Sequence, residues 1–303
     1  MRATPRDYIH LHILIILWGF TAILGLLIKV SPLELVFFRT LLASLGLFLI
    51  IIFRRLSLFI SRGSVARLLG TGCIIAAHWI LFFGSARVST ASVCLAGMAT
   101  TSFWTSLIEP LANRRKVQLL DVVFGVIVIG GLYLIFHFEI NHALGLTMAL
   151  ASALLAAIFT VINSRFTHAH NHHTISFYEM TGACLVTGIF LVFYLLLFHA
   201  GSVIHIMPSA MDWLFLVILA FACTVYPFTA SIELMKRLSA FMVNLSVNME
   251  PVYGIILAYL IFGDRERMNT GFYMGTLVIL LSVILYPILR IWVNKRKMKI
   301  KVL

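Results

Sequence analysis

Long apolar stretches follow one another along the whole chain, separated by short polar or charged breaks. A helix needs about 20 mostly apolar residues to cross a bilayer, and the alternating segments typical of a membrane β-barrel are missing from this sequence. The pattern predicts an all-α integral membrane protein with ten transmembrane helices in one compact domain, because no break is long enough to hold a soluble domain. The predicted spans cover residues 9–29, 33–53, 67–86, 88–112, 118–138, 143–163, 174–198, 210–233, 238–262 and 270–292.

The composition excludes the soluble alternatives. Of the 303 residues, 61% are hydrophobic and 11% are charged, and the mean hydropathy is +1.04. Soluble domains contain roughly 45–50% apolar and about 25% charged residues. A soluble enzyme, a disordered chain and a fibrous repeat are therefore excluded. The four cysteines stand singly within apolar runs, so neither a disulfide nor a structural zinc site is expected.

The positive charges predict the orientation in the membrane. The net charge is +12, from 23 Lys and Arg against 11 Asp and Glu. With ten spans and a cytoplasmic N-terminus, 18 of the 23 basic residues fall in cytoplasmic segments, as the positive-inside rule requires. Both termini are therefore predicted to be cytoplasmic. The basic tail Lys295–Lys301 is expected to meet anionic lipid, and no nucleic-acid partner is expected.

The two halves of the chain show weak internal similarity. A shift of 150 residues aligns Arg87 with Arg237 and Gly125 with Gly275, and a shift of 140 aligns Arg39 with Glu179. This indicates two repeats of five spans, over about residues 1–140 and 141–303. Since five is odd, the second repeat must lie inverted in the membrane. Inverted repeats are typical of secondary transporters, whose substrate site lies near the middle of the bilayer at the repeat interface.

Several motifs resemble those of the EamA-like branch of the drug/metabolite transporter superfamily. The second half carries the stronger ones, Lys236–Ala240, Asn248–Gly254 and Phe262–Asp264. The first half carries weaker counterparts, Trp18-Gly19, Pro32, Phe38-Arg39 and Ala86–Ser89. Two positions depart from the family pattern: Thr100-Thr101 replaces the proline usual in span four, and Asp264 replaces a glutamate.

The resemblance implies a fold of ten helices in two inverted repeats around a central cavity. It also implies an activity, the movement of small polar metabolites such as amino acids, often outward. From the resemblance we expect the protein to lie in the bacterial inner membrane. We expect a small-molecule substrate and the lipid bilayer as partners, and no cofactor.

Charged residues inside a span cost about 2.5–3.5 kcal/mol each on insertion scales, so each needs an explanation. Arg39 and Glu179 occupy equivalent places in spans two and seven. Either they line the substrate path or form an exchanging ion pair, or they lie near span ends and reach the headgroups. Glu250 lies midway along span nine, where Pro251 frees a backbone carbonyl. We interpret these four residues as candidates for coupling or gating, with a proton as a further partner. The alternative for Glu250 is a structural carboxyl bonded to neighbouring helices.

Polar residues in spans nine and four predict a shared cavity. Span nine carries two polar rows, Asn244, Asn248 and Pro251 on one face and Ser246, Glu250 and Tyr253 on another. The aligned part of span four contains Thr100, Thr101 and Trp104. Contact between these polar side chains and lipid would be unfavourable, so both helices should face protein or a water-filled cavity. Packing contacts between helices are the alternative.

Aromatic residues and one histidine complete the predicted substrate-binding set. Trp18, Trp79 and Tyr226 lie well inside spans, where they either stack on a substrate or pack in the core. His78 is a titratable group beside Trp79 in the same span. Separately, Gly271 and Gly275 give a GxxxG spacing in span ten that would allow close helix packing, including in a homodimer.

Three functions are compatible with these observations. A secondary transporter is favoured, because the sequence contains no GxxxxGK[ST] phosphate loop and ATP hydrolysis is not expected. A flippase for lipids or lipid-linked sugars would use the same fold. A membrane-embedded metal-dependent enzyme would need metal ligands, for which the cluster of His168, His170, His172 and His173 is the best support. A solvated loop with incidental histidines is the alternative reading of that cluster, and we do not expect an enzyme.

Overall fold

The computed structural model describes residues 4–112, 114, 119–138, 140–198, 207–247 and 249–302. Within these ranges the chain forms thirteen α-helices and no strand. In chain order they are α1 (Pro5–Leu27), α2 (Pro32–Phe53), α3 (Arg62–Val88), α4 (Ala91–Met98), α5 (Thr101–Ala112), α6 (Leu119–Phe138), α7 (Ala143–Phe166), α8 (His172–Phe198), α9 (Ala210–Ala220), α10 (Tyr226–Leu234), α11 (Ala240–Val247), α12 (Glu250–Phe262) and α13 (Thr270–Val302). The all-α fold predicted from the apolar pattern is confirmed.

Helix starts follow from local side-chain chemistry. At the start of α2, the Ser31 hydroxyl accepts a hydrogen bond from the Glu34 amide at 3.3 Å, and the Glu34 carboxylate accepts one from the Ser31 amide at 2.7 Å. Ser209 and Asp212 form the same reciprocal pair at the start of α9. These capping boxes satisfy amides that would otherwise lack partners at the helix end.

Seven helical stretches of the described chain are long and apolar enough to cross a membrane. They are Pro5–Leu27, Pro32–Phe53, Arg62–Val88, Ala91–Ala112, Ala143–Phe166, His172–Tyr194 and Ala210–Leu234. Two of the remaining predicted spans contain shorter apolar helices, Val123–Ile135 and Thr270–Tyr286, and span nine is divided between α11 and α12, so the number ten stays a prediction. Many large apolar side chains, such as Phe53, Phe59 and Leu260, lie on the outer surface, which suits a lipid solvent and not water.

Three of the predicted spans are not continuous helices. Span four breaks at Ala99–Thr100, where the hydroxyls of Thr100 and Thr101 donate to the carbonyls of Gly97 and Met98. Such local bonds compete with the helical ladder, so the break forms without the proline usual in the family. Span nine breaks between α11 and α12, where Pro251 lacks the N–H that would reach the carbonyl of Val247.

Span eight contains a wide turn between α9 and α10. Residues 221–225 form a single turn of π-helix, in which the amide of Tyr226 donates to the carbonyl of Phe221. Pro227 follows directly, and it has no N–H to donate to the carbonyl of Cys223 four residues earlier. The Cys223 carbonyl is therefore free of the regular helical bond.

Helices from the two halves of the sequence pack against each other. α2 packs along α8, and α6 packs along α13. α1 contacts α12, and α4 contacts α7. The interrupted helices also meet, since α4 contacts α12 and α5 contacts α11. The core therefore lies between the halves rather than within each one.

Glycines allow the closest of these approaches. A Cβ atom on Gly72 in α3 would lie 2.7 Å from the amide nitrogen of Ala183 in α8. A Cβ atom on Gly275 in α13 would lie 2.7 Å from the carbonyl oxygen of Gly131 in α6. Of the two glycines noted in span ten, Gly275 thus packs α13 against α6 of the same chain, and dimerisation stays a prediction.

Candidate substrate-binding cavity

A cavity of about 780 Å³, its open mouth included, lies between the two halves of the chain. Side chains from α1, α2, α3, α4, α5, α7, α10, α11 and α12 line it. Its walls are mostly apolar with a few polar groups, as in small-molecule sites. Seven of the predicted site residues line it: Trp18, Arg39, His78, Trp79, Thr101, Asn244 and Glu250.

Arg39 is enclosed by protein, with 1% of its surface exposed. Its Nε donates to the Thr224 hydroxyl at 2.6 Å, and its Nη2 donates to the Cys223 carbonyl at 3.4 Å. The guanidinium carbon lies 3.9 Å from the ring centre of Trp79. Nη1 has no hydrogen-bond partner among the described residues. The guanidinium is therefore held in place, but its Nη1 end makes no hydrogen bond to a described residue.

The position of Arg39 in α2 follows from Pro227 in α10. Because Pro227 leaves the Cys223 carbonyl without its helical donor, that oxygen can accept from the guanidinium. The Thr224 hydroxyl bonds the carbonyl of Leu219 at 2.7 Å, which fixes it as an acceptor for Nε. π-Helical turns occur frequently at functional sites. The turn here positions the one arginine that reaches the cavity among the described lining residues.

Glu250 is the acidic residue of the described cavity wall. It begins α12 directly after the break, and 6% of its surface is exposed. Within the part of the chain that the structure describes, no hydrogen bond or ion pair reaches its carboxylate. Pro251 is buried in the first turn of α12 and does not line the cavity. Its contribution is to the break that places Glu250.

His78 lies on the α3 side of the cavity with its imidazole fixed. Nδ1 is 3.0 Å from the carbonyl oxygen of Ser152 and 2.7 Å from its hydroxyl, which itself donates to the His78 carbonyl at 2.9 Å. The ring meets Phe159 edge to face at 5.4 Å between ring centres. With Nδ1 engaged by Ser152, Nε2 is the ring nitrogen left for a molecule in the cavity.

Arg39 and Glu179 form no ion pair in the described structure. Glu179 is fully buried, and its Oε2 accepts from Asn163 at 3.4 Å while Oε1 has no partner among the described residues. Asn163 lines the cavity, so Glu179 lies one side chain behind its wall. Neither Arg39 nor Glu179 is exposed at the surface.

The other predicted site residues lie outside the cavity lining. The hydroxyl of Thr100 bonds the carbonyl of Gly97, and that of Ser246 bonds the carbonyl of Met242. Tyr253 lies with its hydroxyl 3.4 Å from His12. Trp104 packs against the core. Tyr226 is 47% exposed on the outside, where it bonds His10 at 3.0 Å.

Asn248 falls outside the described residues. Conversely, Thr160 and Asn163 of α7 line the cavity but were not predicted. Both are polar residues in an apolar span, and that signal alone would have identified them.

The histidines of the predicted cluster contact different partners. His170 bonds the Ser64 hydroxyl at 3.1 Å, and His172 lies 3.7 Å from the Glu233 carboxylate. His173 bonds Asn171. Within the described ranges, no three His, Cys, Asp or Glu side chains are grouped so that they could hold a metal ion.

Comparison with known proteins identifies the family. A model of the EamA-like transporter family matches the chain twice, over residues 8–137 and 143–286. No curated protein matches it. Several solved structures are similar in fold. With one of them, a crystal structure, this chain is 14% identical, the alignment covers 93% of this chain and 96% of that chain, and the TM-score is 0.64.

Proposed function

Since the chain belongs to the EamA-like transporter family of multi-pass membrane proteins, we propose that it is a secondary transporter that exports small polar metabolites, amino acids foremost. The observation that carries this proposal is the cavity between the two family-matched segments, where a buried arginine and a buried glutamate face the same space without pairing. Buried ionisable groups without an oppositely charged partner are costly, and inside a membrane they mark substrate or ion sites.

The proposed mechanism is alternating access by two inverted repeats of five spans, divided near residue 140. The helix contacts support this arrangement, because a contact between two spans is matched by a contact between their counterparts in the other half. Spans one and nine touch through α1 and α12, and their counterparts, spans six and four, touch through α7 and α4. Spans two and seven, and spans five and ten, are counterparts that pack on each other. Rocking one repeat against the other would open the cavity to each side in turn.

Glu250 is the proposed proton-carrying residue. A carboxylate at a helix break, with no described partner, can exchange a proton with whatever enters the cavity. Outward direction, a bacterial inner-membrane location and cytoplasmic termini complete the proposal, and they rest on the family resemblance and the distribution of positive charge.

Counterflow of labelled L-amino acids in proteoliposomes tests the function. Vesicles preloaded with a mixture of unlabelled amino acids should accumulate external label without ATP, and an imposed proton gradient should increase the accumulation. Glu250→Gln should lose the response to the gradient. Glu233→Gln is the matched control, because Glu233 is half exposed and lies outside the cavity lining.

Each alternative has its own outcome. A response to the gradient that persists in Glu250→Gln would remove Glu250 from coupling but keep the transporter. No counterflow by folded wild-type protein would overturn the proposal, and flipping of a labelled lipid by the same vesicles would then favour a flippase.

A further inference from the structure

Part of the Arg39 guanidinium in the cavity wall has no hydrogen-bond partner among the described residues. A guanidinium carries five N–H donors, and two of them are engaged by Thr224 and Cys223. Both donors of Nη1 and one of Nη2 have no described partner. No carboxylate of the described residues lies within ion-pair distance of this cation. Leaving such donors buried and unpaired is unfavourable unless another molecule supplies acceptors.

Stacking explains why the free donors suit a planar anion. Trp79 covers one face of the guanidinium at 3.9 Å, so the charge is stabilised without using any N–H group. The donors lie in the plane of the group, where the Nη1–Nη2 edge can bind both oxygens of a carboxylate in parallel. A lysine could not offer this arrangement.

The charges of the cavity favour a carboxylate over a phosphate. Arg39 is the single arginine or lysine among the described lining residues, and Glu250 contributes a carboxylate to the same wall. A phosphate dianion would meet a single cation among the described lining residues, which leaves excess negative charge in an enclosed space. A substrate with one carboxylate and one ammonium group adds no net charge. Phe82, Phe159 and Phe228 form apolar walls that suit an uncharged side chain.

We propose that Arg39 binds the carboxylate group of the substrate, which makes the transported class zwitterionic amino acids with uncharged side chains. This inference rests on the proposed transport function and adds the group that is recognised and the residue that recognises it. Thr224 and the Cys223 carbonyl position the guanidinium, and Trp79 supports its face.

The test compares amino acids with their amides, which keep the ammonium group and replace the carboxylate by a neutral group. Excess unlabelled L-amino acids should block counterflow of the labelled mixture, and the corresponding amides should not compete. Arg39→Gln should raise the half-saturation concentration about 10- to 100-fold, the range typical of a lost charge-assisted hydrogen bond. Arg39→Lys should recover part of that loss.

Two controls separate binding from structure. Arg67→Gln removes an arginine of the same membrane domain that lies outside this cavity and should leave half-saturation unchanged. Thr224→Val removes only the protein partner of Nε, so it should change thermal stability more than the preference for acids over amides.

Competition by amides equal to that by amino acids would overturn the inference while leaving the transporter intact. Unchanged half-saturation in folded Arg39→Gln would overturn it as well. If Arg39→Gln does not fold, the wild-type comparison of acids with amides still decides. Absence of counterflow for every substrate in wild type would instead overturn the proposed function, and the inference with it.

Discussion

The side-chain amide of Asn244 donates a hydrogen bond to the hydroxyl of Thr105 across 2.8 Å. Asn244 belongs to α11 and Thr105 to α5, so the bond joins the two interrupted spans of the opposite halves. Thr105 in turn donates to the carbonyl of Thr101 at 2.8 Å. Because Asn244 and Thr101 both line the cavity, this chain of bonds forms part of its wall.

Replacement of Asn244 by leucine tests the importance of that bond. The substitution keeps the side-chain volume similar and removes the donor, and interhelical hydrogen bonds in membranes contribute about 0.6–2 kcal/mol. We expect Asn244→Leu to lower the free energy of unfolding by about 1 kcal/mol and to raise the half-saturation concentration for counterflow. Thermal unfolding in detergent and counterflow measure the two effects. Ser246→Ala is the control, because among the described residues the Ser246 hydroxyl bonds only the Met242 carbonyl of its own helix. Equal losses in both variants would contradict the account.

A salt bridge ties the start of α1 to the segment between α10 and α11. Arg237 lies 2.8 Å from the Asp7 carboxylate through Nη2 and 3.0 Å through Nε. A double-mutant cycle of Asp7→Asn, Arg237→Gln and the double variant should give a coupling energy of about 1 kcal/mol, since the Arg237 side chain is partly exposed. The same cycle on transport rates should show coupling, because alternating access must break or form contacts at the helix ends. Additive effects on both stability and rate would contradict a role for this bridge.

The other end of α1 is held by the arginine that aligns with Arg237 in the repeat. Arg87 donates to the carbonyl of Ile28 at 2.9 Å and to that of Gly25 at 3.3 Å. Two repeat-related arginines thus fix the two ends of one helix.

The close contact of α3 and α8 predicts a large effect of a single methyl group. In Gly72→Ala the new Cβ atom would meet the backbone of α8, and overpacking of this kind typically costs about 1–3 kcal/mol. Gly70 lies one half-turn earlier in the same helix and has no neighbour within 4 Å of its virtual Cβ. Gly70→Ala should therefore be neutral or slightly stabilising. Thermal unfolding of the two variants measures the difference, and similar melting temperatures would show that α3 and α8 are not this close in the protein.

The apolar pattern predicted the helical class and the approximate location of the helices, because burial of backbone polar groups in lipid leaves few alternatives. It did not predict the break at Ala99–Thr100, since hydroxyl competition for carbonyls depends on local geometry and not on hydrophobicity. The turn before Pro227 was missed as well, although the proline itself is visible in the sequence.

The candidate site was predicted in part. Arg39 and Glu250 reach the cavity, because charges within a span are expected to face protein or water and not lipid. Tyr226 was expected there and lies on the outside instead. Its hydroxyl finds a partner in His10, so an aromatic residue with one polar atom can face lipid. The rotation of each helix about its axis decides such cases, and polarity alone does not fix that rotation when lipid and core are both apolar.

The most direct test of the account is whether amino acids occupy the cavity. Ser231 lines it, and the rate at which maleimide alkylates Ser231→Cys can be followed by mass spectrometry, with Ser57→Cys, at an exposed position between α2 and α3, as an internal reference. The account predicts that a mixture of L-amino acids slows alkylation at position 231 and leaves position 57 unaffected, whereas the amides slow neither. Equal alkylation rates with and without amino acids, in vesicles that carry out counterflow, would place the transported molecule elsewhere and contradict the account.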